Sequence, residues 1–373
     1  YLDNLTNITG IIFNMIFNQY VILPKTLKEL IFGEQFNQQI KLPESLKYLK
    51  FGKYFNRQIE LPRSLKKIIF GHYFNQPIKL PESLKYLKFG EHFNQQIELQ
   101  PLLKLLIFGH RFNQQVKLPK LLELLIFSDD FNNLIKLPQS LKYLIFGFGF
   151  NKPIKLPKSL IYLKFGFMFN HSIELPNSLK CLILGYHFNQ PINLSESLKY
   201  LLIDSIFINK IDGQSNNTLE YMMIRSKNFN KYVYLPNTLK YLKLYNANQY
   251  IVDNLPESLE SLKIHILTEV SLDNLPNNLK KLGFFEDIYV ECIEQNFFDF
   301  ENPCDMLDYF DLDILKNWFN IEKLDYINDL KELEKLDDID NLDDLEDLEE
   351  LEKFDDINDL KELEKLDDID NLD

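Results

Sequence analysis

The sequence predicts a β-rich solenoid in which one parallel sheet runs the length of the stack and the return segments are mostly extended. The dipeptide Phe-Asn recurs every nineteen residues from Phe17-Asn18 to Phe188-Asn189 without an insertion. Most copies also carry an apolar Leu-x-x-Leu-x-Phe run, and most copies close on Leu-Pro. A fixed period of this length is typical of repeats that form one coil each and stack equivalent residues. We expect about fifteen coils of 19–20 residues.

The strand of each coil is predicted by its apolar spacing. In one copy Leu46, Leu49 and Phe51 form the run, and Ile59 and Leu61 alternate with polar residues further on. Alternation with period two is typical of a half-buried strand. Nineteen residues are too few for a strand, two turns and a full helix. Proline follows the last leucine in eight copies, and since it lacks an N–H it favours an extended return segment.

Two further columns of residues predict structural roles. Glycine follows the strand in eight copies, which indicates either a positive φ or close backbone packing at that turn. The asparagine of Phe-Asn is predicted to point inward and to bond backbone groups of its own coil and the next. The predicted structural ladder is Asn37, Asn56, Asn75, Asn94, Asn113, Asn151, Asn170 and Asn189.

The repeat pattern divides the chain into three predicted parts. Residues 1–285 form the solenoid, with period nineteen in 1–204 and period twenty in 219–285. Residues 286–328 leave the repeat and are predicted to be a partly helical C-terminal cap. Residues 329–373 are three acidic fifteen-residue units, whose apolar residues recur every third position and so drift around a helix. This low-complexity tail is predicted to be disordered or a marginal helix.

Charge and cysteine content bound the protein's class. Residues 1–285 hold 34 Lys+Arg against 21 Asp+Glu, whereas residues 286–373 hold 7 against 34. The body is therefore basic and the end acidic. Three cysteines are too few for a disulfide framework, and no apolar run is long enough for a membrane span. We expect an intracellular, cytoplasmic protein without a membrane contact.

The sequence predicts no enzymatic activity, no cofactor and no metal site. The six histidines lie in different coils, without the spacing along the chain that metal ligands usually show. There is no phosphate-binding loop and no nucleophile elbow. Candidate acids fall in repeating surface columns or in the tail, whereas a catalytic site is expected to break a repeat pattern.

The repeat resembles the FNIP family. Phe-Asn-Gln-Pro-Ile stands at 74–78 and 188–192, and Leu-Pro-x-Ser-Leu-Lys recurs with it. The resemblance covers residues 8–285 and implies a fold similar to leucine-rich repeats. It also implies an origin among social amoebae or the large DNA viruses that infect amoebae, with a host-cytoplasmic location in the viral case. Some family members carry an F-box, which here would lie upstream of residue 1.

In a leucine-rich-repeat-like coil the outward strand residues line the concave face, and here they form a predicted partner-binding surface. The alternative is that stacked aromatic and β-branched neighbours only stabilise the sheet. The candidates are Tyr48, Tyr86, Tyr143, Tyr162 and Tyr200 together with Lys50, Lys88 and Lys164.

A second ladder consists of lysines and has two interpretations. They are either solvated side chains or a track for nucleic-acid phosphates or an acidic protein. Nucleic acid is the less favoured partner, because Glu60, Glu98 and Glu174 interrupt another surface column. The lysines are Lys28, Lys47, Lys66, Lys85, Lys104, Lys142, Lys180 and Lys199.

The functional hypothesis is a non-enzymatic scaffold that binds an unknown protein partner over a long repeat surface. The alternative implied by the family is a substrate-recognition subunit of a ubiquitin ligase, which would bring ligase components as partners.

Overall fold

The computed structural model describes residues 7–203, 211–212, 217–225, 235–244, 248–264 and 270–284. The predicted cap at 286–328 and the predicted acidic tail at 329–373 lie outside the described residues.

The described fold is a single long parallel sheet built in chain order. Fifteen strands pair one after another, and two short strands form a second parallel sheet beside it. One short helix, α1, spans Gln249–Val252. The main sheet holds β1 (Gly10–Ile12), β2 (Glu29–Ile31), β3 (Tyr48–Lys50), β4 (Lys67–Ile69), β5 (Tyr86–Lys88), β6 (Leu105–Ile107), β7 (Leu124–Ile126), β8 (Tyr143–Ile145), β9 (Tyr162–Lys164), β10 (Cys181–Leu184), β12 (Tyr200–Ile203), β14 (Tyr221–Ile224), β15 (Tyr241–Leu244), β16 (Ser261–Ile264) and β17 (Lys281–Phe284), and the second sheet pairs β11 (Ile192–Asn193) with β13 (Ile211–Asp212).

The sequence period sets the strand register. In the coils with period nineteen, Tyr48 pairs with Lys67, nineteen residues further along the chain. In the coils with period twenty, Tyr221 pairs with Tyr241, twenty residues further along. Equivalent residues therefore stack directly above one another, which confirms the predicted parallel-sheet solenoid.

The core is a stack of leucine and phenylalanine columns. Leu46, Leu49 and Phe55 are fully buried, and Phe51 is 1% exposed. Within this coil the rings of Phe51 and Phe55 lie 3.7 Å apart between centroids. Each ring also stacks on its equivalent in the next coil, at 6.1 Å for Phe55 and Phe74. A single coil cannot shield these rings on both sides, so burial depends on the neighbouring coils.

The return segments are extended, as the prolines predict. No helix occurs between residues 7 and 203, all of which are described. A turn closes each coil before the strand: the Leu46 N–H donates to the carbonyl of Pro43 at 3.2 Å. Proline fits here because its missing N–H is not needed by the turn.

Close backbone packing explains the glycine column. A Cβ placed on Gly52 would lie 2.2 Å from the carbonyl oxygen of Gly33, far inside van der Waals contact. The same clash recurs at Gly71 against the carbonyl oxygen of Gly52, at 2.0 Å. Of the two explanations offered by the sequence, the near contact of successive turns is the one that these distances support.

Two side-chain ladders tie neighbouring coils together. The Oδ1 of Asn75 accepts a hydrogen bond from the backbone N–H of Asn94 at 3.0 Å, and this contact repeats from Asn18 to Asn189. The asparagines are half-buried or exposed. The predicted inward orientation is therefore wrong: the amides close the coil corners at the surface, because the two phenylalanine columns already fill the interior.

The second ladder was not predicted. In Leu-Pro-x-Ser-Leu the serine hydroxyl donates to a leucine carbonyl of the preceding coil, as Ser64 does to Leu46 at 2.7 Å. The serine that recurs in this motif is the sequence feature from which the ladder could have been predicted. The ladder continues past the nineteen-residue region, with Thr238 donating to Leu219 at 2.8 Å.

Candidate interaction surface

The outer sheet face consists of the first and third residues of each main-sheet strand from β2 to β10 and of β12. In β3 the central Leu49 is fully buried, whereas Tyr48 and Lys50 are half-buried. This alternation follows from the pleat, which sends successive side chains to opposite sides. Equivalent side chains on this face lie in two columns, one residue from each strand in each column.

The structure brings all eight predicted partner-binding residues onto this one face. Tyr48, Tyr86, Tyr143, Tyr162 and Tyr200 begin β3, β5, β8, β9 and β12, and Lys50, Lys88 and Lys164 end β3, β5 and β9. Their accessibility differs: Lys88 is exposed, but Tyr162 is only 7% exposed. Burial raises the pKa of the Tyr162 hydroxyl well above its usual value.

One lysine on this face was not among the predicted residues. Lys67 lies between Tyr48 and Tyr86 in the same column. Its Nζ is 5.0 Å from the centroid of the Tyr48 ring and 4.9 Å from that of Tyr86. Both distances lie within the range of a cation–π contact. The signal was the register itself, since Lys67 lies nineteen residues from each tyrosine.

The middle of the outer sheet face is apolar and closely packed. Leu105 is 3% exposed, Leu124 is 6% exposed and Ile183 is 6% exposed, although they point away from the main core. Cys181 is 9% exposed, and its burial raises the pKa of the thiol to about 12. Here side chains on adjacent strands shield one another, so these four positions present little free apolar area.

A basic column runs along the edge of this face, one residue before each strand. Successive backbones are joined, since the Lys47 N–H donates to the Lys28 carbonyl at 2.7 Å and the Lys66 N–H to the Lys47 carbonyl at 2.8 Å. Five consecutive coils place lysine here without an acid between them. We define the basic column as Lys28, Lys47, Lys66, Lys85 and Lys104.

Beyond the basic column the same position carries both signs of charge. Glu123 contacts Lys142 at 2.9 Å and Lys104 at 3.4 Å. Burial raises the pKa of Glu123, but the Lys142 hydrogen bond and the two lysine charges outweigh it and lower the pKa overall. A polar groove further along continues this alternation, and in coil order its charged residues are Lys199, Glu220, Lys240, Glu260 and Lys280.

Histidines gather along a turn ridge, formed by the two residues that follow the glycine column. His72 Nδ1 lies 2.9 Å from Glu91 Oε1, and His110 Nδ1 lies 2.8 Å from Asp129 Oδ2. The His72 and His92 rings are 4.9 Å apart between centroids. Burial and the charge of Arg111 lower the pKa of His92. Residues far apart in the chain are neighbours here because each coil adds one residue to the same column.

The helix α1 of the described residues has four residues, far fewer than a membrane-spanning helix needs, and the described part of the chain contains no candidate span. No curated protein shows significant similarity to this chain.

Solved structures support the architecture. The giant-virus protein CroV588, described as a novel circular LRR protein, is 40% identical, with a TM-score of 0.65. The match covers 72% of this chain and 45% of CroV588, so the chain spans less than half the length of that protein. YopM from Yersinia enterocolitica WA-314 has a TM-score of 0.55 at 20% identity, covering 76% of this chain and 74% of YopM, and shows the fold alone.

The repeat itself matches a family model described as FNIP Repeat. The matched segments overlap in the later coils, as expected for a repeat with a nineteen-residue period. They are 36–73, 74–102, 112–149, 131–168, 150–187 and 169–214. With the parallel solenoid and the likeness to the leucine-rich-repeat protein CroV588, these matches show that the chain carries FNIP repeats across residues 36–214 and belongs among the FNIP repeat-containing proteins.

Proposed function

We propose that this protein is a non-enzymatic scaffold that binds another protein on its outer sheet face. We further propose that the part from β2 to β6 receives an extended, acidic segment of that partner. The leucine-rich-repeat-like fold supports protein binding in general. The choice of an acidic segment rests on one observation, the unbroken run of lysines in the basic column.

Other surface columns of the same coils do not keep one sign of charge. One column reads Lys41, Glu60, Lys79 and Glu98, and all four side chains are exposed. Another reads Lys25, Glu44, Arg63 and Glu82. Alternation is favourable because equivalent residues stack one strand spacing apart, where opposite charges attract and like charges repel. Over the coils from β2 to β6, these columns balance their charge within the protein.

The basic column instead places five lysines in a row, and its last member, Lys104, contacts Glu123. Lys47, Lys66 and Lys85 have lysines on both sides in their own column. A partner with carboxylates at regular intervals would convert this repulsion into attraction. An extended chain can follow the column, because three of its residues advance about 9.9 Å, close to two strand spacings of about 9.6 Å.

The neighbouring outer sheet face offers rigid contact area. Tyr48 and Tyr86 flank Lys67, whose ammonium holds both rings through cation–π contacts. Tyrosine contributes a large contact area with little loss of conformational freedom, which is typical of binding hot spots. Lys50 and Lys88 end the same two strands as these tyrosines and add positive charge beside them.

The test compares two charge-reversal variants of the full chain. Lys47→Glu/Lys85→Glu changes the basic column, and Lys41→Glu/Lys79→Glu makes the same net change on an alternating column. The probe is a fluorescent, unstructured peptide with alternating Glu and Ser, followed by anisotropy at several salt concentrations. We expect at least about a tenfold weaker affinity for the first variant and less than about a twofold change for the second.

Two outcomes would contradict the proposal. An equal loss of affinity in both variants would indicate unspecific attraction to net charge. Unchanged affinity in the first variant would indicate that the peptide binds elsewhere on the protein. A single-stranded oligonucleotide serves as a competitor: tighter binding of the oligonucleotide, with a steeper salt dependence, would favour a nucleic-acid partner instead.

The role as a ubiquitin-ligase subunit stays a prediction from the family. Affinity purification of the full-length protein from its own cells addresses it. Ligase components among the bound proteins would support that role, and their absence alongside a bound acidic protein would support the simpler scaffold.

A further inference from the structure

We infer that His72, Glu91 and His92 form a zinc-binding site on the turn ridge. One ligand atom from each residue lies within 4.8 Å of the other two. His72 Nδ1 and Glu91 Oε1 are already 2.9 Å apart. The site lies apart from the outer sheet face and does not depend on the proposed function.

The stacking of two coils holds these residues in place. The backbone N–H of His92 donates to the carbonyl of His72 at 3.0 Å. Two residues before His92, a Cβ on Gly90 would lie 2.0 Å from the Gly71 carbonyl oxygen, so the two turns are in direct contact. The backbone positions are therefore fixed by the solenoid, and only side-chain rotation is needed to close on an ion.

The chemistry of the three donors favours zinc. Two imidazole nitrogens and one carboxylate oxygen suit a borderline ion, whereas calcium and magnesium prefer oxygen alone. With bonds of about 2.0–2.1 Å, donors of a tetrahedral zinc ion lie about 3.3 Å apart. The shortest donor pair is close to this separation, and the half-buried side chains have room for the remaining adjustment. A fourth position would stay open to water or to a group from outside the chain.

Neighbouring residues provide internal controls. His110 makes a similar contact with Asp129, at 2.8 Å, but that pair has no third donor among the metal-binding groups of the described residues. Arg111 follows His92 in the same column and is exposed. Its positive charge opposes a cation at the site, so its removal should strengthen binding.

The experiment measures zinc affinity of the full chain by competition with a chromophoric chelator. The variants are His72→Ala, His92→Ala and Glu91→Gln, with His110→Ala as the matched control. We expect each of the three to weaken the tightest zinc site by about tenfold or more, because each removes one of three ligands. His110→Ala should keep wild-type affinity, and Arg111→Gln should bind zinc more tightly.

A second readout separates ligand loss from misfolding. Cobalt(II) replaces zinc and gives a visible spectrum that reports nitrogen and oxygen ligation, and circular dichroism confirms that each variant retains its sheet. Unchanged zinc affinity in folded His72→Ala and His92→Ala would overturn the inference. Only weak zinc binding by the wild-type chain would overturn it as well. A cobalt spectrum typical of thiolate ligation would also overturn it, since it would assign the ion to cysteine.

Discussion

At the scale of single residues, the fold depends on positions where the backbone leaves no space for a Cβ atom. The glycine column is the sharpest case, because successive turns touch through their backbones. The missing Cβ of Gly71 would lie 2.0 Å from a backbone oxygen, and backbone cannot rotate away as a side chain can. Gly10 differs, since its nearest neighbour is the Glu29 side chain at 4.0 Å.

We therefore predict opposite results for two glycine substitutions. Gly71→Ala should lower the free energy of unfolding by about 3 kcal/mol, because the coils must separate to admit the methyl group. Gly10→Ala should change it by less than about 0.5 kcal/mol, as expected for a change away from packed features. Urea unfolding followed by circular dichroism measures both, and equal effects would refute close packing as the reason for the glycine column.

Cys181 gives a prediction for pH. Burial raises the pKa of its thiol from 9.0 to about 12, so the folded chain keeps the proton when the unfolded chain loses it. The free energy of unfolding should therefore fall as pH rises from about 9 to 12. At pH 8.5 iodoacetamide should modify Cys181 in urea but not in the folded chain. Mass-spectrometric peptide mapping distinguishes it from the other cysteines, and fast labelling of folded Cys181 would contradict its burial.

At the scale of elements, neighbouring coils are joined by backbone pairing and by side-chain ladders. Strands of three or four residues supply few hydrogen bonds of their own. The asparagine and serine ladders each add at least one bond between coils at two other corners, as with Asn75 and Ser64. Corners without regular pairing would otherwise leave polar backbone groups unsatisfied.

We predict that Asn75→Ala loosens one junction between coils. The substitution removes the acceptor for the N–H of Asn94 and for Gln95 Nε2. Stability should fall by about 1 kcal/mol, the usual net value of a hydrogen bond. Hydrogen exchange at the Asn94 amide should accelerate, with little change at distant coils. Asn75→Asp retains an acceptor oxygen and should exchange more slowly than the alanine variant; equal exchange in the two would argue against the ladder.

At the scale of the whole molecule, each described coil of the main sheet contacts mainly the coils before and after it. Stability of such a stack is close to a sum of coil terms and nearest-neighbour interface terms. One coil can then take the place of another, because strands β2 to β9 pair in the same register throughout.

Deletions provide a test of this modular behaviour. Removing residues 141–159 joins Ser140 to Leu160 and deletes one whole period, so every later strand keeps its register. We expect this protein to fold, with a melting temperature within a few degrees of the full chain. Removing only 141–150 joins Ser140 to Asn151 and carries polar residues into core columns, and we expect it to lose cooperative melting. Similar behaviour of both deletions would exclude the period as the unit of stability.

Much of the fold follows from the sequence alone. Period nineteen fixed the coil, the register and the alignment of Tyr48, Lys67 and Tyr86, because a one-dimensional stack repeats its pattern in space. The prolines excluded helical returns for a local reason, the missing N–H. The run of lysines could also be predicted from the sequence, since residues one period apart stack on one another in the solenoid.

Tertiary structure alone decided what depends on distances across coils. The asparagines proved to lie at the surface, because two phenylalanine columns occupy the interior, and Tyr162 proved to be buried by its neighbours on the outer sheet face. The cluster of His72, Glu91 and His92 matches no known metal-binding motif along the chain. Glu91 lies nineteen residues after His72, and His92 follows Glu91 directly. Sequence periodicity determines which residues are neighbours, but side-chain volume and rotamer determine which of them touch.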